Sequence, residues 1–257
     1  MAKRFNSLIR SLFHRRLLRH WHRLADRAPD MDLASLRRAH ARARQLRRPL
    51  DRLVHIAENR LALPLIGSTA IQTPLGSDWS YRPELWHGPV TPSGHSAVES
   101  KTMIGQEATV FHDCSISELT FRQLRNTREA DLAPFGLRLD VFRFDGSFLS
   151  LVLELPDSAV AGLKKRHLLR MHAIVEMEKP LEIFARLNIR HGPNTEQLVR
   201  ELPLFQDEVV VEFDLAYTKL NEKRVEQAWV DLIFEGPEMN QIILRDVTFS
   251  RRPRAEL

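Results

Sequence analysis

The amino-acid sequence predicts a mainly β protein: an antiparallel, jelly-roll-like β-sandwich with a basic α-helical arm at its N-terminus. Apolar residues recur at helical spacing in the first 60 positions, whereas from about residue 108 apolar and polar residues alternate. The charge also changes along the chain. Residues 1–60 hold 16 Lys and Arg against 5 Asp and Glu, and the remainder holds 22 against 28. We therefore predict an arm over 1–61 and a sandwich domain over 62–257.

The first 25 residues form a basic amphipathic segment that contains no acid. Its cations are Lys3, Arg4, Arg10, Arg15, Arg16, Arg19 and Arg23. Its main apolar ridge steps by four residues, through Phe5, Ile9, Phe13, Leu17 and Trp21. A helix of this kind is expected to meet an anionic or apolar surface. The ridge drifts by about 40° per step, so a protein partner that follows the winding is as consistent with it as a flat lipid surface.

The arm is predicted to contain three helices. The first covers residues 3–27 and ends near Pro29, and Asp30 or Asp32 is expected to cap a second helix whose last turn holds Arg47 and Arg48. Pro49 suits the first turn of a third helix, because proline is well tolerated there.

Residues 62–107 lack a regular period and hold five prolines and five of the ten glycines. An irregular stretch of this length is uncommon in a compact domain. We expect it to contain one or two short strands and to wrap the sandwich.

The sandwich strands are predicted from the alternation of apolar and polar residues. Asp145-Gly146 is typical of a two-residue hairpin turn, and Lys179-Pro180 and Gly192-Pro193-Asn194 are expected to break the chain between strands. About nine strands are predicted, with alternating segments at 137–141, 149–155, 167–178, 181–190, 209–215, 228–234 and 242–249. Evenly spaced strands with little helix between them favour a sandwich over a βαβ arrangement.

No familiar catalytic motif is present, and we predict no catalytic residue, no metal and no cofactor. His112, Asp113 and Cys114 are adjacent, but neighbours on a strand point to opposite faces and do not converge on one ion. Carboxylate pairs such as Asp140 with Glu154, or Asp231 with Asp246, are expected on solvent-facing positions. A saccharide-active enzyme with carboxylates from distant strands stays open as the alternative to a binding protein.

The candidate ligand site is the polar face of the strand at 181–190. Arg186, Asn188 and Arg190 share that face and offer planar hydrogen-bonding groups. Aromatic side chains could supply a stacking platform for a glycan, and Trp79, Tyr81 and Trp86 are the candidates. The same aromatic residues are also suited to plugging the end of the sandwich.

Three partners stay open for the arm: an anionic membrane surface, a protein, and nucleic acid as the third choice. The single cysteine excludes an intramolecular disulfide, and basic residues interrupt every apolar stretch near the N-terminus. We therefore expect a cytoplasmic protein that associates peripherally with the inner membrane.

Three segments carry a resemblance to a known family. They are Phe148 to Pro156, Leu187 to Glu196, and Trp229 to Leu257. Together they resemble a bacterial family of uncharacterised function, which implies no activity and transfers no catalytic residue. The final strand, with Ile243, Arg245 and Val247, resembles the closing strands of galactose-binding-like sandwiches, which concerns the fold alone.

Overall fold

The computed structural model describes residues 2–61, 68–206 and 208–254. The chain divides into two compact units, Met1–Arg60 and Leu61–Leu257. The first unit is helical, and the second is built almost entirely from strands.

The arm begins with helix α1, Ala2–Arg27, followed by a 3-10 turn at Ala28–Asp30 and helix α2, Leu33–Leu61. The end of α1 near Pro29 confirms the predicted boundary, because proline occupies the turn that follows. Asp32 caps α2, since the backbone N–H of Ser35 donates to Asp32 Oδ1 at 2.9 Å. A hydrogen bond from the Ser35 side chain, together with this backbone bond, lowers the pKa of the Asp32 carboxyl. None of the described helices is both long and apolar enough to span a bilayer.

The prediction of a third helix beginning at Pro49 is wrong, because α2 continues through this residue to Leu61. Proline inside a helix removes one backbone donor and crowds the preceding turn. The residues on either side, including Leu46, Arg47 and Leu50, are strong helix formers, which favour a continuous helix. One long helix therefore replaces the two that the sequence predicts.

Two antiparallel sheets form the second unit and confirm the predicted β-sandwich. The strands of the described residues are β1 Trp79–Tyr81, β2 Gly94–Ser96, β3 Thr102–Ile104, β4 Ala108–His112, β5 Leu119–Arg125, β6 Phe135–Val141, β7 Leu149–Glu154, β8 His167–Met177, β9 Ile183–His191, β10 Asn194–Glu201, β11 Glu208–Asp214, β12 Val225–Phe234 and β13 Asn240–Pro253. Sheet I has the strand order β11-β8-β13-β6-β5-β2, with β1 also paired to β13, and sheet II has the order β10-β9-β12-β7-β4-β3.

The core lies between the two sheets and is filled by the apolar half of each alternating strand. Leu151 and Leu153 of β7 are fully buried, as are Leu187 and Ile189 of β9 and Phe249 of β13. Because successive side chains of a strand point to opposite faces, the polar half of each strand is left on the outer face of its sheet. The sandwich therefore presents two outer faces, one on each sheet.

The hairpin predicted at Asp145-Gly146 is wrong, because β6 belongs to sheet I and β7 to sheet II. The connection crosses between sheets, and the Asp145 carboxylate accepts hydrogen bonds from the Ser115 backbone N–H and hydroxyl. The segment over 62–107 holds three short strands in its described part, β1, β2 and β3, and a one-turn helix, α3, at Glu84–His87. Its strands join both sheets.

Candidate functional site

A groove of about 500 Å³ crosses the outer face of sheet II. Strands β4, β7, β9 and β12 form its floor, and Phe148, just before β7, lies at one end. The residues that line it are Thr109, Phe111, Phe148, Ser150, Val152, Glu154, Arg186, Trp229, Asp231 and Ile233.

Trp229 lies on the groove floor at the end away from Phe148. On β12 it lies opposite Asn188 of β9 on one side and Glu154 of β7 on the other. Its neighbours along the strand, Ala228 and Val230, are buried in the core, whereas the indole is half-buried on the outer face. A partly exposed indole in a groove offers an apolar, flat surface for stacking.

The groove's polar side is organised around the carboxylate of Asp231. Arg186 Nε donates to Asp231 Oδ2 at 2.7 Å, and Asn188 Nδ2 donates to the same oxygen at 3.1 Å. Asn188 Oδ1 accepts from Gln197 Nε2 at 3.0 Å, so the network continues onto β10. The Asp231 side chain is only 4% exposed and that of Arg186 is 38% exposed. These bonds hold the planar guanidinium at the rim in one orientation.

Two buried polar groups that line the groove, a carboxylate oxygen and a hydroxyl, have no hydrogen-bond partner among the described residues. Asp231 Oδ1 receives no donor there, although Oδ2 of the same carboxylate receives several, and the Ser150 hydroxyl is also without a partner. Buried polar atoms are nearly always satisfied, because an unmade hydrogen bond costs about 1–3 kcal/mol. These two groups are therefore exceptions within the described part of sheet II.

A double loop clamp positions Phe148 at the end of the groove. Ser147 N donates to Asp113 Oδ1 at 2.7 Å, and the Ser147 hydroxyl donates to Oδ2 at 2.5 Å. Asp145 accepts the corresponding two bonds from Ser115 in the reciprocal direction. The hydroxyl of Ser147 lowers the pKa of Asp113, and that of Ser115 lowers the pKa of Asp145.

The structure does not bring the two halves of the predicted ligand site together. Arg186 lines the groove, and Asn188 supports it from beneath. Arg190 is on the same face but further along β9, where its Nε donates to Glu226 Oε2 at 3.1 Å. Of the predicted aromatic residues, Trp79 and Tyr81 belong to β1 of sheet I, and Trp86 belongs to helix α3, which follows β1.

Those aromatic residues face the interior instead. Trp79 and Tyr81 pair with Arg251 and Phe249 of β13, and both pack against the core with their rings stacked 6.0 Å apart. Trp86 is completely buried, and its Nε1 donates to the Leu244 carbonyl at 2.8 Å, so it presents no face to a ligand. Burial, together with the neighbouring Glu107, raises the pKa of Tyr81 above its ordinary value. Trp86 is therefore part of the core, and Trp79 and Tyr81 are half-buried against it.

The aromatic residues of the groove, Phe111, Phe148 and Trp229, are absent from the predicted site. The alternation of β12 places Trp229 and Asp231 on one face and could have marked both as outward-facing. Their position beside Arg186 depends on pairing between strands about 40 residues apart, which local patterns do not show.

The other candidate groups are engaged structurally. His112 Nε2 lies 2.8 Å from the Val98 carbonyl, and His112 Nδ1 accepts from the Cys114 backbone N–H. Burial raises the pKa of the Cys114 thiol. Among the described residues no three His, Cys, Asp or Glu side chains are grouped to hold a metal. The suggested carboxylate pairs are divided between sheets, because Asp140 and Asp246 are on sheet I and Glu154 and Asp231 are on sheet II.

The predicted partner-binding residues all lie on α1. The side chains of Lys3, Arg4, Phe5, Ile9, Arg10 and Phe13 are outside the described part of the structure. Arg15, Arg16, Arg19 and Arg23 are exposed, as is Leu17. Trp21 is half-buried and meets His20 edge to face.

These features define the class of protein: an antiparallel two-sheet β-sandwich with an appended pair of basic helices. The profile of the family of unknown function DUF6478 matches residues 1–257, so the chain belongs to that family. This confirms the resemblance to a family of uncharacterised function. No curated protein matches the sequence.

Solved structures similar to this chain include several carbohydrate-associated proteins. The family 11 carbohydrate-binding module of Clostridium thermocellum, in complex with a mixed-linked tetrasaccharide, has 10% identity over 65% of this chain and 100% of its own, with a TM-score of 0.40. The C-terminal family 22 module of Clostridium thermocellum Xyn10B has 7% identity over 73% and 100%, at 0.36. The active domain of bacteriophage CBA120 tailspike protein 4 has 7% identity over 56% of this chain and 19% of its own, at 0.41.

Proposed function

We propose that the sandwich is a non-enzymatic binding module for neutral glycans and that the groove on sheet II is its site. One observation carries the proposal: a half-exposed indole, Trp229, shares the groove with two buried polar groups, Asp231 Oδ1 and the Ser150 hydroxyl, that have no hydrogen-bond partner among the described residues. A sugar ring has an apolar face of C–H groups for the indole and hydroxyl donors for the two oxygens.

The charges of the groove favour an uncharged ligand. Among its lining residues Arg186 is the cation, and its guanidinium is already engaged by Asp231. Glu154 also lines the groove, where its Oε2 accepts from Gln227 Nε2 at 2.6 Å. A uronate or a sulfated sugar would bring its charge next to two carboxylates, which disfavours binding.

Isothermal titration of the full chain against neutral oligosaccharides of glucose, xylose, galactose and mannose tests the proposal. At least one of them binds saturably, and Trp229→Ala weakens that binding at least tenfold, or by about 1.4 kcal/mol. Tyr217→Ala is the matched control, because it removes an exposed aromatic side chain that follows β11 of sheet I. We expect this variant to bind like the wild type.

Two outcomes oppose the proposal. Equal loss of binding in both variants, or no saturable binding to any neutral oligosaccharide, contradicts it. Release of shorter saccharides during prolonged incubation would favour the enzyme alternative, with Glu154 and Asp231 as the carboxylates that line one groove.

For the arm we propose docking to an anionic lipid surface, which places the protein at the cytoplasmic face of the inner membrane. The described C-terminal half of α2 carries the exposed side chains of Leu46, Leu50, Leu53 and Val54, spaced along one side of the helix. The exposed arginines Arg42, Arg44 and Arg47 accompany them. Apolar burial and cationic attraction act together on such a helix, at about 1 kcal/mol per basic residue near the surface.

Co-sedimentation with phosphatidylglycerol-containing vesicles tests the docking. The full chain sediments with these vesicles but not with pure phosphatidylcholine, and Leu50→Glu with Leu53→Glu reduces sedimentation. Leu75→Glu is the control, because Leu75 is an exposed leucine of the other unit. A full chain that stays in the supernatant contradicts the proposal, as does equal binding to DNA with steep salt dependence.

A further inference from the structure

The outer face of sheet I carries an arginine with no partner. Arg170 of β8 makes no hydrogen bond, ion pair or ring contact with any described residue, and its Nε is buried from solvent. An arginine guanidinium presents five N–H donors and cannot lose its proton. Water therefore does not reach Nε, and no protein acceptor replaces it. Such a group is costly unless something else supplies the acceptor.

The carboxylates around Arg170 are engaged by other cations. Glu212 lies directly opposite Arg170 on β11, yet its Oε1 accepts from Arg252 NH2 at 3.2 Å. Asp214 pairs with Arg254 at 3.3 Å, and Glu208 accepts a bond from His172 Nε2 at 2.8 Å. Because these acids already have other partners, Arg170 is a half-buried positive charge without an acidic partner among the described residues.

Hydroxyl groups lie next to Arg170 on its other side. Ser250 of β13 lies directly opposite it, and Thr248 is the next outward residue along that strand. Neither hydroxyl makes a side-chain hydrogen bond with another described residue. Arg252 is the outward residue beyond Ser250, and its Nε is also buried without a partner. Diagonal neighbours on a sheet are within reach of long side chains, so both guanidinium groups can approach one ligand.

A cavity of about 500 Å³ adjoins this cluster. Its floor includes His172 and Thr248, the residues next to Arg170 and Ser250 on the same face. The buried ion pair of Arg82 with Asp246 also lines it, and the loop at 128–132 forms a wall. The cavity is not lined by Arg170, Ser250 or Arg252 themselves, so it lies beside the cluster and does not enclose it.

We propose that Arg170, Ser250 and Arg252 form a second binding site that takes an oxyanion: a carboxylate, sulfate or phosphate group. The fork of the Arg170 guanidinium matches two oxygens of such a group, and the Ser250 hydroxyl donates to one of them. The terminal N–H groups of Arg170 are the donors that the ligand reaches, because Nε itself is buried. The site does not depend on the groove of sheet II, which lies on the opposite face of the sandwich.

Titration of the full-length, 15N-labelled chain with sodium sulfate, sodium phosphate and sodium glucuronate tests this site. Sodium chloride at equal ionic strength is the reference, and the Nε–H resonances of the arginines are followed. At least one oxyanion shifts the Arg170 resonance saturably, and the three arms identify which oxyanion is preferred. Arg170→Gln weakens the binding at least tenfold, and Ser250→Ala weakens it about threefold.

Arg122→Gln is the matched control. Arg122 is an exposed arginine on the outer face of β5 in the same sheet, and it has no bonded partner among the described residues. Its variant keeps the wild-type affinity, as does Trp229→Ala. Equal losses in the two arginine variants, or shifts that never saturate with any of the three anions, overturn the proposal.

The stability of Arg170→Gln without oxyanion gives a second readout. Because Arg170 has no partner among the described residues, the unfolding midpoint of the variant in chloride does not fall below that of the wild type. Sulfate or the preferred anion raises the midpoint of the wild type but not of the variant. A fall of several degrees in chloride would show that Arg170 is a structural residue, and this result contradicts the proposal.

Discussion

The two outer faces of the sandwich arise from the same alternation of side chains, but they leave different hydrogen-bonding groups unsatisfied. On sheet II the unmatched groups are the carboxylate oxygen Asp231 Oδ1, which accepts, and the Ser150 hydroxyl, which donates and accepts. On sheet I they are donors, the Nε–H groups of Arg170 and Arg252. The first face suits a ligand that donates through hydroxyls, and the second suits a ligand that accepts through anionic oxygens.

The faces also differ in how deeply their central ion pairs are buried. In sheet I the Arg82 and Asp246 side chains are 3% and 5% exposed, whereas in sheet II the Arg186 side chain is 38% exposed. Removal of one member of a buried ion pair is costly, because the other charge stays buried without compensation. A half-exposed arginine that loses its partner is still solvated by water. On sheet I the buried ion pair of Arg82 with Asp246 holds the segment around Thr69 in place. On sheet II the pair of Arg186 with Asp231 orients the half-exposed guanidinium of Arg186.

The largest expected effect is the loss of the buried pair in sheet I. Arg82 donates to both oxygens of Asp246, at 2.9 and 2.8 Å, and also to the carbonyl of Thr69 at 2.7 Å. Asp246→Ala leaves a buried cation uncompensated and lowers the free energy of unfolding by about 3–5 kcal/mol. Urea unfolding of the full chain measures this change.

Two further variants make that result decisive. Asp140→Ala breaks the partly exposed pair with Arg138 and costs less than about 1 kcal/mol. Replacement of both partners, Arg82→Met with Asp246→Leu, restores most of the stability, because no buried charge is left alone. A small effect of Asp246→Ala would remove the stated distinction between the two faces.

The next effect concerns Ser150 and has opposite signs for stability and binding. Ser150→Ala removes a buried hydroxyl that has no partner, so the free energy of unfolding stays equal or rises by up to about 1 kcal/mol. Affinity for the glycan that binds the wild type falls by about fivefold, since a donor or acceptor for the ligand is lost. Calorimetry and urea unfolding of the same sample measure both quantities.

Ser80→Ala is the matched control, because Ser80 is an exposed serine of β1 on sheet I. It changes neither stability nor glycan affinity. If Ser150→Ala destabilises the protein as well as weakening binding, the hydroxyl has a structural partner. Ser150 would then not be an unsatisfied group that a ligand can use.

The sequence predicts the strands well because their signal is local. The alternation places β8 within one residue of its observed end, at Met177 against a predicted Glu178, and the burial of Leu151 and Leu187 follows from the same pattern. Edge strands such as β1 and β3 are only three residues long, too short for periodicity to identify. The count of about nine strands therefore falls short for a physical reason.

The candidate site was less predictable because it is made by pairing between distant segments. Arg186 and Asn188 could be assigned to one face, but the register that sets Trp229 beside Asn188 is not encoded in either segment alone. Aromatic content misled the prediction at Trp86, whose full burial satisfies its N–H through the Leu244 carbonyl. Likewise Asp145-Gly146 has the composition of a hairpin turn, yet Asp145 serves a clamp between loops.

The smallest expected effect concerns that clamp and its dependence on pH. The pKa values of Asp113 and Asp145 are lowered by bonds from Ser147 and Ser115, so both carboxylates are charged in the folded protein at neutral pH. A group with a lowered folded pKa contributes stability that is complete above its unfolded pKa, near 4, and is lost as the pH falls through the folded value. Phe148, held by the Asp113 side of the clamp, lines only the groove on sheet II.

Glycan affinity should therefore be constant between about pH 8 and 5 and decline only below about pH 4. Asp113→Asn at neutral pH mimics the loss of charge and lowers glycan affinity about twofold, while oxyanion binding on sheet I is unchanged. Asp140→Asn, a carboxylate of sheet I, is the control and leaves glycan affinity unaltered. A glycan affinity that already falls between pH 7 and 5 would show that another titrating group, and not the clamp, controls glycan affinity. An equal response of glycan and oxyanion binding to Asp113→Asn would mean that the two faces are coupled.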